Sequence, residues 1–516
     1  TDGDGAKLAG ALGRCAEREI GVAILKVGTS VAGQAAAAAH TGAIAGDQAV
    51  FRALVEQAGA AWATDPHELL EITRVLAEPR ARPRRYESNH HREELQPNGS
   101  IRVTDEETVT YRPGLAVLTC SGGDSGIAAD QAEAVGLRFA ELKPETEIRL
   151  RELLPDAATV ANPLDYTSLL WSDPERMTAI VEAVGNCETV EQMVIFHDHP
   201  ADLRPEHETE WAQVRESLVA GALRSDCPAV LSSTLPDLVS PEARKSLASR
   251  GIPAVSGLRA AIAVATACQK WSRLDPAEVS AQLQRISTKA AALGEVTATV
   301  RGEGDWLSEH QAKSLLRASG ITVPVSATAT TPAACVDAAA GLSFPLALKL
   351  SGPSIQHKSE LGAVRINLRD ESELLAAAED LMSIAGQIHL REGLSGENPS
   401  EPPAFLLEEM AGPGVELIVT ARSDAVVPSL TIGLGGIWAE QLSDSVVLPL
   451  PASNQQIRMA LARLRAWGIL LGERGTRPVD FEALASLASR VGNQLLEYRD
   501  PAGRPFDLIE LNPVLA

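Results

Sequence analysis

The chain has 516 residues, 45% of them hydrophobic and 22% charged, which is an ordinary globular composition long enough for about three domains. Its net charge of −22 repels nucleic acid and anionic membrane surfaces, so neither is expected as a partner. The same charge repels ATP and CoA, so any such ligand has to be caught by local donors: backbone N–H groups at glycine-rich turns, lysines and metal ions.

Aromatic residues make up only 3%, so the cores have to be built from Ala, Val, Leu and Ile. The six cysteines, Cys15, Cys120, Cys187, Cys227, Cys268 and Cys335, include no C-x-x-C pair, which fits a reduced, cytoplasmic setting. No run of about 18 apolar residues predicts a membrane span. The first residues, Thr-Asp-Gly-Asp-Gly, are not a signal peptide and contain no initiator Met, so the chain reads as trimmed.

Residues 5–80 alternate helix and strand. A helical stretch over Ala6–Arg18 leads to an apolar strand at Val22–Val27. A run of small residues from Gly33 to Ala39 follows, then His40-Thr41-Gly42-Ala43-Ile44-Ala45-Gly46-Asp47, and two helical patterns at Gln48–Gln57 and Pro66–Leu76. Residues 81–113 are rich in Arg, Glu, Asn and Pro with almost no apolar period, and predict a mobile linker or insertion. Residues 114–272 form a second α/β block. Its strands read at Leu115–Thr119, Met193–Phe196, Ala229–Ser233 and Pro253–Val255, and a Ser121–Gly126 turn opens a helix. Short apolar runs between amphipathic helices predict a parallel sheet covered on both faces.

Residues 273–304 are polar and helical, a second connection. In the last block, 305–516, Ser308 and Gln311 predict a capping box for a helix over Glu309–Ser319, which Gly320 stops. Strands follow at Leu346–Leu350, Gly362–Leu368, Phe405–Met410 and Val415–Ala421, a mixed α+β pattern unlike the blocks before it.

Several segments are candidates for chemistry. His40 follows five alanines, and Gly42 and Gly46 allow its loop to bend. A neutral imidazole is a competent nucleophile toward phosphorus, although an idle Ala/Gly loop is the plainer reading. Ser121, Gly122 and Gly123 lie between a strand and a helix N-terminus, where backbone amides and the helix dipole favour a phosphate; a plain βα turn is the alternative. Lys349 ends a buried-looking strand, a costly place for a lysine unless it meets an anion, and His357 and Lys358 follow in Ser-Ile-Gln-His-Lys-Ser-Glu. Glu408, Glu409 and Glu416, with Gly435 and Gly436, complete a plausible ATP site. Asp444, Glu510 and Asn512 supply oxygen donors of the kind Mg²⁺ prefers, and each alone could be a solvated group or a turn. His197-Asp198-His199 with His207 is better read as a polar strand end than as a metal cluster, and His90-His91 as solvated. No G-x-x-x-x-G-K-[ST] or G-x-G-x-x-G motif exists.

Together these segments resemble the NDP-forming acyl-CoA synthetases of the acetate–CoA ligase (ADP-forming) type, relatives of succinyl-CoA synthetase. Leu25–Ser30 with Ala39–Gly46 is similar to that family's phosphohistidine segment. Leu118–Asp124 with Ala161-Asn162-Pro163-Leu164-Asp165 resembles its second flavodoxin-like ligase domain. Trp306–Gly320, Lys349–Gly362, Gly433–Glu440 and Glu510-Leu511-Asn512-Pro513 resemble its ATP-grasp domain. The resemblance covers nearly the whole chain apart from insertions near 80–113 and 390–403.

The resemblance implies flavodoxin-like parallel-sheet ligase domains followed by an α+β ATP-grasp domain. It implies a reaction of ATP, CoA and a short-chain carboxylic acid such as acetate to ADP, phosphate and acyl-CoA, with Mg²⁺. His40 matches the phosphohistidine, His357 a second, relaying histidine, Lys349 the nucleotide-phosphate lysine, and Glu510 and Asn512 metal ligands, with Asp444 a looser match. Complete members begin with a CoA-binding domain and most of a first ligase domain. The resemblance therefore implies that residues 1–80 are the C-terminal part of that first domain, and that either the sequence is truncated at its N-terminus or an oligomer or partner chain supplies the rest. A second reading is a catalytically incomplete remnant or subunit that binds nucleotide. A third, an acyltransferase-fused branch, needs an acyltransferase domain that the sequence does not show.

Overall fold

The computed structural model describes residues 4–30, 32, 48–83, 92–95, 101–104, 112–200, 203–299, 306–352, 361–391, 404–423, 425–436, 442–475 and 477–516. The chain divides into two compact units, the first holding most residues up to Ala291 and the second most of those after it. No helix among the described residues is long and apolar enough to cross a membrane.

The first unit opens with α1 (Gly5–Glu17), which Asp4 caps by accepting from the Lys7 amide at 3.1 Å. Strand β1 (Ala23–Leu25) pairs in parallel with β2 (Ala61–Ala63), with α2 (Gln48–Gln57) between them and α3 (Pro66–Leu76) after them. Within the polar stretch read as a linker, β3 (Arg92–Leu95) and β4 (Ile101–Thr104) pair as an antiparallel ribbon.

A five-stranded parallel sheet then carries the unit: β5 (Gly114–Thr119), β6 (Leu164–Asp165), β7 (Val190–Phe196), β8 (Ala229–Ser232) and β9 (Ala254–Val255), in the order β6-β5-β7-β8-β9. Every residue of β5, β7, β8 and β9 is buried, as a sheet covered on both faces requires. Its helices are α4 (Gly122–Ala134), α5 (Pro144–Leu153), α6 (Pro174–Gly185), α7 (Pro205–Ser225), α8 (Pro241–Ala248) and α9 (Leu258–Ser272).

The two α/β blocks seen in the sequence share one core. Ala63, Ile72 and Val75 of the first pack with Val117, Phe196 and Ala261 of the second. Glu71 of α3, only 3% exposed, is held by Arg74 at 2.8 Å and by Arg244 of α8 at 3.5 Å. Residues 273–304, read as a polar, helical connection, contain the 24-residue helix α10 (Pro276–Thr299). It buries Leu283, Ile286 and Leu293, and Ser287 Oγ donates to the Ala6 carbonyl at 2.8 Å. Three buried residues at 3- and 7-residue spacing make one apolar stripe, too narrow to stand out in a polar window but enough to dock a helix.

The second unit has two α+β halves. Helix α11 (Glu309–Ala318) begins at the predicted capping box, with Ser308 and Gln311 exchanging side-chain-to-backbone bonds, and Gly320 follows it at φ +74°. In the first half, β10 (Ser326–Ala329), β11 (Leu346–Ser351), β12 (Val364–Leu368) and β13 (Ala404–Glu409) form an antiparallel sheet in the order β10-β13-β11-β12. Helices α12 (Pro332–Ala339) and α13 (Glu371–Arg391) cover one face through Leu346, Leu348, Phe405 and Leu407.

In the second half, β14 (Glu416–Arg422), β15 (Ser429–Leu434), β16 (Ser445–Pro449) and β17 (Leu508–Leu515) are ordered β16-β15-β14-β17, with α14 (Asn454–Leu461), α15 (Trp467–Leu470) and α16 (Phe481–Glu497). Leu417, Val419 and Ala421 alternate into this second core, and Leu316 of α11 joins them. Helix α11 thus packs on the second half while its first turn meets the sheet of the first half.

Candidate active site

In the first unit the candidate residues gather at the carboxyl ends of the parallel strands, where a doubly wound sheet opens toward ligand. Ser121 caps α4: its Oγ accepts from the Asp124 amide at 3.3 Å, and its own amide donates to Thr119 Oγ1 at 3.2 Å. Gly122 and Gly123 follow in the first turn, both exposed. A Cβ at Gly122 would stand 3.4 Å from Asp165 Oδ2 and one at Gly123 3.5 Å from Ser121 Oγ, ordinary contacts, so packing does not demand glycine here. What the glycines leave is open backbone at a helix N-terminus.

That terminus is ringed by carboxylates. Burial pushes the Asp124 carboxyl up, bonding to Ser121 opposes the rise, and Asp198 and Asp165 add to it. The Cys120 thiol is likewise raised, by burial first and by the same three carboxylates. Asp165 Oδ1 accepts from the Thr167 amide at 2.9 Å, and Asp198 accepts from the Thr234 amide and hydroxyl, both at 2.8 Å. The Asn-Pro-Leu-Asp segment owes its place to Asn162, which donates to the Leu115 and Ala140 carbonyls at 2.8 and 2.9 Å and accepts from Val117 N at 3.0 Å.

Beside this rim, the histidines after β7 are placed by packing. His197 is 2% exposed between Trp171 and His199, and its Nε2 has no hydrogen-bond partner among the described residues. His199 contacts Glu208 at 3.1 Å and Arg215 at 3.2 Å. Among the described residues no group of three or more His, Cys, Asp or Glu side chains is placed to hold a metal ion.

In the second unit, Lys349 stands on the β11 face away from the α12–α13 core, next to Glu408 of β13. The Lys349 ammonium contacts Glu309 Oε1 at 2.8 Å and Glu408 Oε2 at 2.7 Å. Lys313, one helical turn after Glu309, contacts Glu309 Oε1 at 2.7 Å and also reaches Glu408 Oε1. Burial alone pulls the Lys349 pKa down. The charges of Glu309 and Glu408, with hydrogen bonds to both, more than offset this and hold it above its ordinary value. Lys349 is therefore a charged, partly buried ammonium facing away from the core, as a phosphate-binding lysine has to be. Ser351, two residues on and on the same face, is buried, and its hydroxyl has no hydrogen-bond partner among the described residues. Glu409 points elsewhere and accepts from the Ser343 amide at 2.8 Å.

On the second half, Glu416 opens β14 and is exposed. The Gly435 amide donates to the Glu416 carbonyl at 2.8 Å, and a Cβ at Gly435 would lie 3.1 Å from the Glu416 backbone. Gly436 has φ +67°, and its Cβ would lie 2.5 Å from Glu416 Oε2. These two glycines are required by close approach and by backbone conformation. Glu510 pairs across the strands with Thr420, and Asn512 lies in the register irregularity opposite Leu417 and Val419. Both are exposed. One carboxylate and one amide oxygen from adjacent turns of a strand suit Mg²⁺, which takes few protein ligands and completes its shell with phosphate and water.

Asp444, expected with them, accepts from a backbone amide on each of its oxygens. Its Oδ1 accepts from the Arg465 amide at 3.0 Å and its Oδ2 from the Ala466 amide at 2.8 Å, just before α15. His40 and His357 lie outside the described residues. The structure thus gathers Lys349 with Glu408, Glu416 with Gly435 and Gly436, and Ser121 with Gly122 and Gly123. Sequence reasoning missed Glu309, Lys313 and Ser351. A Glu-x-x-x-Lys pair in the first turns of a capped helix was the available signal for the first two, but that spacing is common on solvated helix faces.

Residues 298–516 match the family model of an ATP-grasp domain, and residues 2–76 that of a succinyl-CoA ligase-like flavodoxin domain. The chain is 28% identical over 96% of its length to a trans-feruloyl-CoA synthase from an unknown prokaryotic organism, of which it covers 62%. It is 25% identical, again over 96% of its length, to the ADP-forming acetate–CoA ligase I of Archaeoglobus fulgidus, of which it covers 64%. It thus spans somewhat under two thirds of the length of these curated relatives. Among solved structures, an acetyl-coenzyme A synthetase 1 of Ca. Korarchaeum cryptofilum in complex with coenzyme A is 29% identical, covering 44% of this chain and 93% of that one, at a TM-score of 0.37.

Proposed function

From a chain that carries the ATP-grasp and succinyl-CoA ligase-like domains of the ADP-forming acyl-CoA ligases, we propose that it moves a phosphoryl group between nucleotide and histidine in the formation of an acyl-CoA. The ligase family and its use of ATP, Mg²⁺ and CoA set the frame. The observation that carries the reading is Lys349, an ammonium kept charged on the exposed-side face of the ATP-grasp sheet.

In this reading the imidazole of His357 attacks the γ-phosphorus of ATP. The N–P bond forms as the bond to the bridging oxygen breaks, and ADP leaves with that oxygen. The group then passes to His40, and from there to a carboxylate oxygen of the acid. CoA thiolate displaces phosphate from the acyl phosphate, forming the thioester. Lys349 binds nucleotide phosphate, and the Gly435–Gly436 backbone is proposed to approach it from the second half. Glu510 and Asn512 would hold Mg²⁺, which when bound neutralises phosphate charge. The open turn at Gly122–Gly123 offers amides to the phosphoryl group at the acyl end.

The acid is a carboxylic acid, with a short-chain acid such as acetate the proposed substrate. The relatives are named for acids as different as ferulate, acetate and 4-hydroxybutyrate, so the acid is the part of the reading most exposed to test.

Incubation with γ-labelled ATP and Mg²⁺ tests the reading. Acid-labile, base-stable label is expected on the protein, and it should disappear in a His40→Asn/His357→Asn double variant. Nucleotide binding without any such label would sink this reading and support a nucleotide-binding subunit that lacks the chemistry.

A further inference from the structure

Glu309, Lys313, Lys349 and Glu408 form a cluster in which each lysine bridges the two carboxylates. Lys349 spans Glu309 Oε1 and Glu408 Oε2, while Lys313 spans Glu309 Oε1 and the other oxygen of Glu408. Glu408 is 3% exposed, too deep for water to stabilise its charge. If Lys349 were its only cation, the lysine could not turn toward a phosphate without leaving a bare buried carboxylate behind. Lys313 removes that obstacle. It rides on α11, whose Leu316 is packed into the other half of the unit, so it is held independently of the strand that carries Lys349.

We propose that Lys313 is a positioning residue, a standing counter-ion that keeps Glu309 and Glu408 neutralised while Lys349 exchanges those carboxylates for nucleotide phosphate. This rests on Lys349 being the nucleotide-phosphate lysine. Glu309 then acts as the tether that parks Lys349 in the nucleotide-free protein, and Glu408 as the buried anion that orients both ammonium groups. The role is specific in sign. Removing Lys313 leaves the buried Glu408 competing with the nucleotide for Lys349, so nucleotide binding weakens. Removing the Glu309 charge loosens the tether, so binding strengthens.

Equilibrium binding of Mg-ATP by the full chain tests this. Lys313→Met should weaken binding roughly tenfold, and Lys313→Arg should restore most of it. Glu309→Gln alone should bind as tightly as the parent or a few-fold tighter. Lys313→Met/Glu309→Gln should recover much of what Lys313→Met loses, a rescue that a merely structural lysine would not show. Lys349→Met is the control that separates the two claims. If it leaves binding unchanged, the nucleotide role of Lys349 fails and the exchange with it. If Lys349→Met weakens binding while Lys313→Met does not, or if Glu309→Gln weakens it, the exchange alone is overturned. Should Lys313→Met not fold, Glu309→Gln and Lys313→Arg still decide the matter by the sign of their effects.

Discussion

His197 supplies a proton-linked test of the first unit. Burial, then the neighbouring charges of His199 and Arg215, lower its pKa to about 3, so the ring is neutral in the folded protein at any ordinary pH. In the unfolded chain a histidine titrates near pH 6.5. A base whose folded pKa is depressed contributes stability that is fully present above the unfolded value. That stability is lost as the pH falls from about 6.5 toward 3, because only the unfolded chain takes up the proton. The limiting slope is about 1.4 kcal/mol per pH unit, and the loss between pH 7 and pH 5 works out at about 2 kcal/mol. His197→Gln removes the titrating group and keeps an amide of similar reach.

Urea unfolding at pH 7 and pH 5, followed by tryptophan fluorescence, measures the effect; Trp171, with its ring centroid 6.3 Å from that of His197, reports on this region. Other titrating groups cancel in the difference between parent and variant. The parent should lose about 2 kcal/mol more than His197→Gln over that interval. Equal losses would refute the argument, as would a ring signal for His197 that titrates between pH 6 and 7 in the folded protein.

Two further substitutions probe the second unit. Gly436→Ala forces an alanine to φ +67° and sets its Cβ 2.5 Å from Glu416 Oε2. About 1–2 kcal/mol of stability should be lost to the backbone conformation alone. Adding Glu416→Ala should return only the contact part of the loss, as read by thermal unfolding; full recovery would mean the backbone conformation costs nothing. Asp444→Ala should cost about 1–2 kcal/mol by stripping acceptors from the Arg465 and Ala466 amides, with the Mg²⁺ dependence of nucleotide binding unchanged. Glu510→Gln/Asn512→Ala should do the reverse, leaving the melting temperature and raising the Mg²⁺ requirement about tenfold or more in a metal titration. The same Mg²⁺ shift in Asp444→Ala would return Asp444 to the metal site.

The contrast between these residues explains how far the sequence could be read. The capping box of Ser308 and Gln311 was legible because both partners lie within one turn, and the bonds follow from their spacing. The β5 strand and the helix opened by Ser121 were legible for the same local reason: an unbroken apolar run, then a cap, then a helix. Lys349 stood out because a lysine in an apolar strand needs a counter-ion. Its counter-ions did not, because they sit 40 and 59 positions away, Glu309 on a helix and Glu408 on a neighbouring strand, and only the register of β11 against β13 brings them into reach.

Asp444 shows the opposite case, a local signal with distant partners. As a lone acid in a polar loop it has the chemistry of a metal ligand. Whether an acid binds metal or caps backbone depends on which donors the fold delivers, and here the chain returns 21 and 22 residues later with two amides. The charge count of the Lys349 cluster carries the same lesson one step further. Residue type and burial say that a cation there must be paired, but only the wiring distinguishes a locked pair from one with a spare counter-ion. It is the second case, with Lys313 shared by both carboxylates, that leaves Lys349 able to let go.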